Sequence, residues 1–416
     1  MPDPEVLSWL ADRAVPLDPV EAGTGLADLA PMCPVWSDVR VIGLGEATHG
    51  TSEFFTLKHR LIEFLVVELG VRVVAMEASE SAATAVNDFV TRGSGEPAQA
   101  LAGLVFRTWN TREVLALLQW LRAHNADLSP EHQVRFVGID PQLPALAVEV
   151  VESFLSENLP TQLPRFAEAL TALAQTRMTE AALPDPILRS AEEIVEVLDR
   201  QEPAGSPDEH ARARQHVTYL VRAAQLATAP RDPAAGEASM YAVRDRLMAE
   251  AATEVTSTQA GTGPAVAVWA HNGHLQSGQR PEQVPTMGAH LRRQFGRHYY
   301  ALGLVFGSGS FRAKRARLVR GYTPSPVRHH RGTAPPTTTE GHLARAHGGD
   351  HLIDLHDDNA PQAVTTWLST RSWTRQHGAL ESPFYRMGFT PTVPGAEYDG
   401  LAYVHRTSPP TACRPS

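Results

Sequence analysis

Carboxylates and imidazoles at short spacings are the side chains that move protons near neutral pH, and this chain carries several of them at suggestive places. Glu46 and His49 lie three positions apart in GLGEATHGTSEFF, among Gly43, Gly45 and Gly50. Glu77 follows the run VRVVAM, Asp140 follows VRFVGI, and His271, Asn272 and His274 follow AVAVWA. A carboxylate and an imidazole on one short loop can share a proton or a water. The chemistry they point to is hydrolysis of an ester or lactone, with His49 taking a proton from the attacking water and its basicity set by Glu46 or Glu77. His271, His274 or Lys58 would then face the oxyanion, a contribution of roughly 3–4 kcal/mol per donor in a dry site. Clustered acids and imidazoles should also push one another's pKa values apart, leaving one member able to act as a base.

The same groups admit a second reading. Glu46, His49, Glu77, His271 and His274 are the residue types that hold a divalent metal, which would lower the pKa of a bound water. The primary expectation is no cofactor, with that metal as the alternative. Other chemistries find no motif. The first loop has neither GxxxxGK[ST] nor GxGxxG spacing, so it is not read as a nucleotide site, and its glycines are expected to let the backbone turn sharply. The HxxH pair is not HExxH on a helix, and the chain has no GxSxG elbow.

These residues need elements to bring them together. Val39 to Leu44, Val71 to Met76, Val134 to Ile139, Ala265 to Ala270 and Tyr299 to Phe306 are apolar or β-branched almost throughout, the pattern of buried parallel strands. Helical periodicity separates them, so the expected fold is α/β with a mainly parallel sheet flanked by helices. Ligands of such sheets bind at the carboxyl ends of the strands, which is where the acids and histidines fall. A single Asp or Glu there often only caps a turn; their joint occurrence points to a site.

Two helices carry cations on apolar faces. In Ser52 to Leu69, Phe54, Lys58, Leu61, Leu65 and Leu69 share one side, so Lys58 needs a carboxylate partner, with Glu46 and Glu77 as candidates, or a water-filled pocket, unless it snorkels past the helix edge. In Met240 to Val255, Arg244 lies with Met240, Leu247 and Ala251 and points inward, as a structural partner for an acid or as a clamp on a substrate carbonyl. The helix Thr111 to Asn125 is expected to open with Asn110 as N-cap and Glu113 three residues on.

The expected organisation is an α/β core of residues 1–142 and 258–406, a helical insert of 143–257 bordering the cleft, and a flexible tail of 407–416. Within the insert, breaks fall at 202–207 and 229–236. Residues 324–339 read as a long loop.

With 416 residues, 43% apolar, the chain can bury a large core. A balance of 37 basic against 46 acidic residues argues against nucleic acid as a partner. Cys33 and Cys413 indicate neither a disulfide framework nor a thiolate cluster. No basic, apolar leader and no apolar run approaching 18 residues is present, so the expectation is a cytoplasmic protein without a membrane span, acting on a small molecule. Oligomeric state is left open.

The blocks GEATHGTSEFFTLKHRL, MEAS, FRTWNTREVLALLQWLR, VGIDPQ, VWAHNGHL and MGAHLRRQFG, in this order between Gly43 and Phe311, resemble the erythromycin esterase family. The resemblance implies an α/β fold with a helical subdomain beside a deep cleft. It places the family's catalytic His on His49, its site acids on Glu46 and Glu77, and its HNxH histidines on His271 and His274. Lys58 stands where well-known esterases of the family have Arg, which keeps the charge and loses bidentate geometry. Asp140, Arg244, Asn272 and Trp109 are assigned to substrate binding. The activity implied is opening of a macrolide or similar natural-product ester, in antibiotic resistance or in biosynthesis. The alternatives are acyl transfer, cyclisation or deacylation at the same site, or binding of a small molecule or metal without turnover.

Overall fold

The computed structural model describes all residues except 1, 18, 105, 107, 178–180, 201–205, 281–282, 318–320, 382–387 and 414–416. Part of the 202–207 break, Arg107 of the FRTWN block and the last three residues of the tail therefore lie outside the described residues.

The five apolar runs form strands β1 (Val41–Leu44), β2 (Val73–Ser79), β3 (Arg135–Asp140), β4 (Val266–Trp269) and β5 (Tyr299–Arg315). β6 (Val327–Arg331), β7 (His351–Asp354) and β8 (Gly400–Thr407) complete the main part of a ten-stranded sheet. Its order is β7, β8, β5, β1, β4, β2, β3, parallel from β8 through β3, with β7 antiparallel to β8. The unbroken apolar character of the inner strands has a direct cause. Successive side chains enter two clusters, Ile42, Leu44, Val74 and Trp269 on one face and Val41, Val73, Val266 and Val268 on the other, so neither face meets water.

Helices α1 (Ser52–Val67) and α2 (Arg112–Asn125) cover the first face, and α3 (Met240–Ser257) covers the second. α1 is buried on nearly every side, not along one stripe, because residues 19–28 wrap it: Arg60 donates to the carbonyls of Pro19 and Gly25, and Glu63 accepts from the Gly23 amide. The α2 N-cap is Thr111, whose hydroxyl accepts from the Val114 amide. Asn110 does not fill that place, and Glu113 turns instead to Ser52 Oγ and the Thr411 amide. Four helices between residues 145 and 228 (Ala145–Asn158, Leu163–Gln175, Pro186–Arg200, Pro207–Thr228) share a hydrophobic cluster of their own, while α3 packs on β2, β3 and β4.

Two segments differ from expectation. The stretch 324–339 is not all loop: β5 continues past its apolar half, and Val327–Arg331 pairs antiparallel on its exposed edge. The tail does not fray through 413. Ser408 and Thr411 bond the Glu53 and Glu113 carboxylates at the first turns of α1 and α2, and the Cys413 amide bonds the Asn110 carbonyl. Among the described residues no helix is long and apolar enough to cross a membrane.

Arg222, on the helix Pro207–Thr228, ties these helices to the core by gripping Glu80 at 2.6 Å and Glu254 of α3. Burial pushes the Glu80 carboxyl up to about 7, against the pull of Arg222. The folded state then holds a proton that the unfolded chain releases above pH 4.5, so this group's stabilisation is lost as pH rises through 7. Relative to Glu80→Gln, the wild type is expected to lose on the order of 2 kcal/mol between about pH 5 and pH 8 in chemical unfolding. A difference between the two proteins that does not vary with pH would contradict this.

Candidate active site

Register places the strand ends side by side. Leu44 and Met76 both pair with Trp269, and Gly138 pairs with Met76, so the residues after these positions emerge along one edge of the sheet. Glu77 and Asp140 lie within their strands, not after them, because the β2–β3 register shifts between Met76 and Ser79 and both strands run on past the break. An irregularity of that kind re-aims side chains, and here Glu77 and Asp140 both line the cavity that opens at this edge.

The loop after β1 is packed tightly. The chain turns at His49 and Gly50, but Gly45 and Gly50 do not adopt left-handed backbone, so it is space rather than conformational freedom that calls for glycine here. A Cβ on Gly45 would come within 2.0 Å of Asn272 Oδ1, and one on Gly50 within 1.9 Å of the Arg312 carbonyl oxygen. Glycine permits the close approach that seats Glu46 at full burial. Glu46 Oε2 then accepts from Lys58 Nζ at 2.7 Å, and Oε1 bonds His49 Nδ1 at 2.6 Å. Lys58 is also fully buried, with Nζ 4.5 Å from the centre of the Trp269 ring. Burial lowers its pKa to about 8 against the field of Glu46. Neither Glu46 nor Lys58 lines the cavity. The expectation that Lys58 faces an oxyanion is therefore corrected: it stands behind Glu46 and supplies the charge that lets a carboxylate exist there.

His49 is the end of this row that reaches the cavity. With Nδ1–H on Glu46, the neutral ring carries its lone pair on Nε2. Trp109 stands edge-on to the ring at 5.2 Å and His271 lies tilted at 5.0 Å. Trp109 itself is held by its Nε1–H donating to the Glu77 carbonyl at 3.1 Å.

A second network faces His49. Glu77 Oε2 accepts the His271 backbone amide at 2.9 Å, and Oε1 takes Arg244 at 2.9 Å and His274 Nε2 at 3.2 Å. Burial would raise the Glu77 carboxyl, yet His274, His49 and Arg244 hold it well below its ordinary value. His274 also bonds Asp245 through Nδ1. Burial disfavours its charge, but Asp245 and Glu77 together raise its pKa above the ordinary value, against Arg280 and Arg244, whose guanidinium nitrogens lie 2.8 Å from Nδ1 and 3.0 Å from Nε2. Arg244 reaches Asp140 at 2.6 Å with Nη2 and at 3.2 Å with Nε, and Gln142 donates to the same carboxylate. His271 is the opposite case: burial and the neighbouring His49 push its pKa well down, and Nδ1 accepts from the Gly273 amide. It is a neutral ring.

Most of the residues singled out in the sequence therefore meet around one cavity of about 670 Å³: His49, Glu77, Trp109, Asp140, Arg244, His271 and His274 line it. Asn272 does not. Its amide bonds both main-chain groups of Leu304 and is fully buried, so its assignment to substrate is replaced by a structural one. The proposed metal ligands share the cavity region without forming a metal site. Among the described residues no group of three or more His, Cys, Asp or Glu is placed to hold an ion, and the lone pairs of Glu46 and Glu77 are turned to Lys58, His49, Arg244, His274 and a backbone amide.

Asp245 and Arg280 were not foreseen, nor was the segment 376–381, which forms the opposite wall with His377, Gly378 and Glu381. That segment is pinned to the site: the His377 amide donates to the Ala47 carbonyl of the first loop at 2.7 Å, and the Gly378 amide donates to His271 Nε2 at 3.1 Å. The only trace in the sequence is a His and a Glu four apart in RQHGALE.

A family profile described as "Erythromycin esterase" matches residues 66–407, a span that contains Glu77, Trp109, Asp140, Arg244 and both histidines of HNxH and begins after the first loop. The YbfO protein of Bacillus subtilis (strain 168), named as a hydrolase, is 23% identical over 96% of this chain and 91% of its own length. Erythromycin esterase type II of Escherichia coli is 26% identical over a shorter stretch, 32% of this chain and 30% of that protein. Among solved structures, a Bacillus cereus protein superposes with TM-score 0.81 at 24% identity, covering 98% of both chains. A succinoglycan biosynthesis protein gives 0.79 at 21%, again over 98% of both. A mutant of erythromycin esterase EreC in its open conformation gives 0.68 at 15%, over 96% of this chain and 98% of the other. At these identities the structural likeness speaks for the fold.

Proposed function

Since the chain belongs to the erythromycin esterase family, we propose that it is a hydrolase that cleaves an ester or lactone by imidazole-assisted attack of water, with no metal in the step. The observation that carries this reading is the buried row Lys58, Glu46, His49, which ends with a bare imidazole Nε2 at the cavity.

Water bound at His49 Nε2 attacks the carbonyl carbon as its proton passes to that nitrogen, and the carbonyl π electrons move onto oxygen. Glu46 holds the resulting imidazolium through Nδ1–H, and Lys58 holds the other oxygen of Glu46. Arg244 lines the cavity, with Nε and Nη2 taken by carboxylates and Nη1 3.0 Å from His274 Nε2. Its guanidinium supplies the positive field for the oxyanion. Collapse of the tetrahedral intermediate breaks the C–O ester bond, and His49 returns its proton to the leaving alkoxide. A cavity of about 670 Å³ accommodates a natural-product-sized ester.

Incubation with macrolides and simpler esters, read by mass, is expected to give a product heavier by one water at a rate insensitive to chelator. Loss of turnover on chelation, restored by added metal, would transfer water activation to a metal ion. Tight binding of these compounds with no product from any of them would replace catalysis with binding.

A further inference from the structure

One wall of the cavity holds a group that the hydrolytic scheme does not use. His377 is buried, and its Nδ1 bonds Glu381 Oε2 at 2.8 Å, while Glu381 is in turn paired with Arg331. Burial keeps the ring neutral, its pKa lowered despite Glu381. The proton therefore sits on Nδ1 against the carboxylate, and Nε2 is left as an acceptor. That atom is buried and, among the described residues, has no hydrogen-bond partner.

The ring is held in place. Its centre lies 4.5 Å from that of Phe311 and 6.0 Å from that of Phe306, and the residue's own amide is tied to Ala47 beside the catalytic loop. The edge bearing Cε1 and Nε2 passes Gly388, another residue of the cavity wall, with φ +67°. A Cβ at that position would stand 2.0 Å from Cε1 and 2.9 Å from Nε2. Only glycine fits against this edge of the ring. The arrangement repeats Lys58–Glu46–His49 in composition, a cation beside a carboxylate that orients an imidazole, with Arg331 in the place of Lys58. Native structures rarely leave a buried acceptor unmatched, and a donor on a bound molecule completes it.

We propose that His377, oriented by Glu381, reads the substrate: its Nε2 accepts a hydrogen bond from a hydroxyl or ammonium group of the bound ester, so that the site favours donor-bearing esters over donor-free ones. This rests on the ester-hydrolase reading above. Sites built around such a hydrogen bond reject analogues that lack it far more strongly than apolar pockets reject a missing methylene.

The test compares erythromycin, which carries several hydroxyls, with p-nitrophenyl acetate, which carries no donor. In His377→Phe, whose ring fits beside Phe306 and Phe311, the ratio of kcat/KM for the two esters is expected to fall about ten- to a hundredfold in favour of the acetate, chiefly through KM. His377→Gln, which retains an acceptor, should keep most of the wild-type ratio, and His377→Leu replaces the Phe variant if that one does not fold. An unchanged ratio overturns the proposal, whether both rates fall together or neither does, because a structural role or a bound water at Nε2 affects both esters alike. If the wild type fails to hydrolyse either or both esters, the hydrolase reading is judged on that result alone and calorimetric titration with erythromycin decides His377. Binding at least tenfold weaker in His377→Phe supports it; equal binding, or none by the wild type, overturns it.

Discussion

His49→Gln is expected to lower kcat/KM by three to four orders of magnitude while leaving the unfolding midpoint within a few degrees of the wild type. The loss in rate stems from the position of the ring, which is the only part of the Lys58, Glu46, His49 row that lines the cavity. General-base assistance is worth roughly 10²–10⁴ in rate, and here the same nitrogen also delivers the proton to the leaving group. Stability should change little because the Gln side chain can still donate to Glu46 Oε1, and Lys58 still compensates the carboxylate. Steady-state kinetics beside a thermal melt separates the two effects. A folded variant that turns over like the wild type would remove His49 from the mechanism and leave the row as a structural ion pair.

Arg244→Met is expected to damage both stability and turnover. Arg244 holds Glu77 at 2.9 Å and Asp140 at 2.6 Å, and both acids are buried. Removing the shared cation leaves two carboxylates with diminished compensation, and breaking a buried pair in this way costs about 3–5 kcal/mol. Turnover should fall by a further factor of roughly 10²–10³ as the positive field at the oxyanion is lost. The direction with pH is fixed by linkage. Once Arg244 is gone, a folded-state carboxyl of the pair has a higher pKa than in the wild type, so the variant binds a proton on folding that the wild type does not. Its stability deficit should therefore shrink as pH is lowered from about 8 to 5 and widen as it is raised. Chemical unfolding at the two pH values reads this out. Arg244→Lys should recover part of the stability and little of the rate, because an ammonium cannot span two carboxylates in the geometry of the guanidinium fork. A deficit that grows on acidification would show that the guanidinium is not what holds these acids ionised.

Much of the architecture was legible because it depends on short-range pattern. The strands around Ile42, Val74, Phe136, Val268 and Leu302 announce themselves as unbroken apolar runs, since a strand covered by helices on both faces has no use for alternation. The inward orientation of Lys58 and Arg244 also comes from helical spacing alone, and each lies in contact with a candidate acid. Where expectation failed, the deciding contacts were remote. Val327–Arg331 is a strand because β5 offers it an edge, and residues 408–413 are ordered by the carboxylates of Glu53 and Glu113. His377 and Glu381 join the site through a main-chain bond from His377 to Ala47 of the first loop, a contact between distant parts of the chain that no local pattern announces.

The order of residues along the chain determined the kinds of group available, the buried sheet that carries them, and the edge at which Glu46, Glu77, Asp140 and His271 emerge, because hydrophobic period and strand direction are local properties. Tertiary structure alone decided the division of labour among them. Hydrogen bonds and charge compensation act over a few ångströms, so it was packing that turned Lys58 away from the cavity, buried Asn272 against Leu304, and moved the pKa values of His274 and His271 in opposite directions. Packing also left His49, alone among these groups, with an unshared lone pair facing the place where an ester would bind.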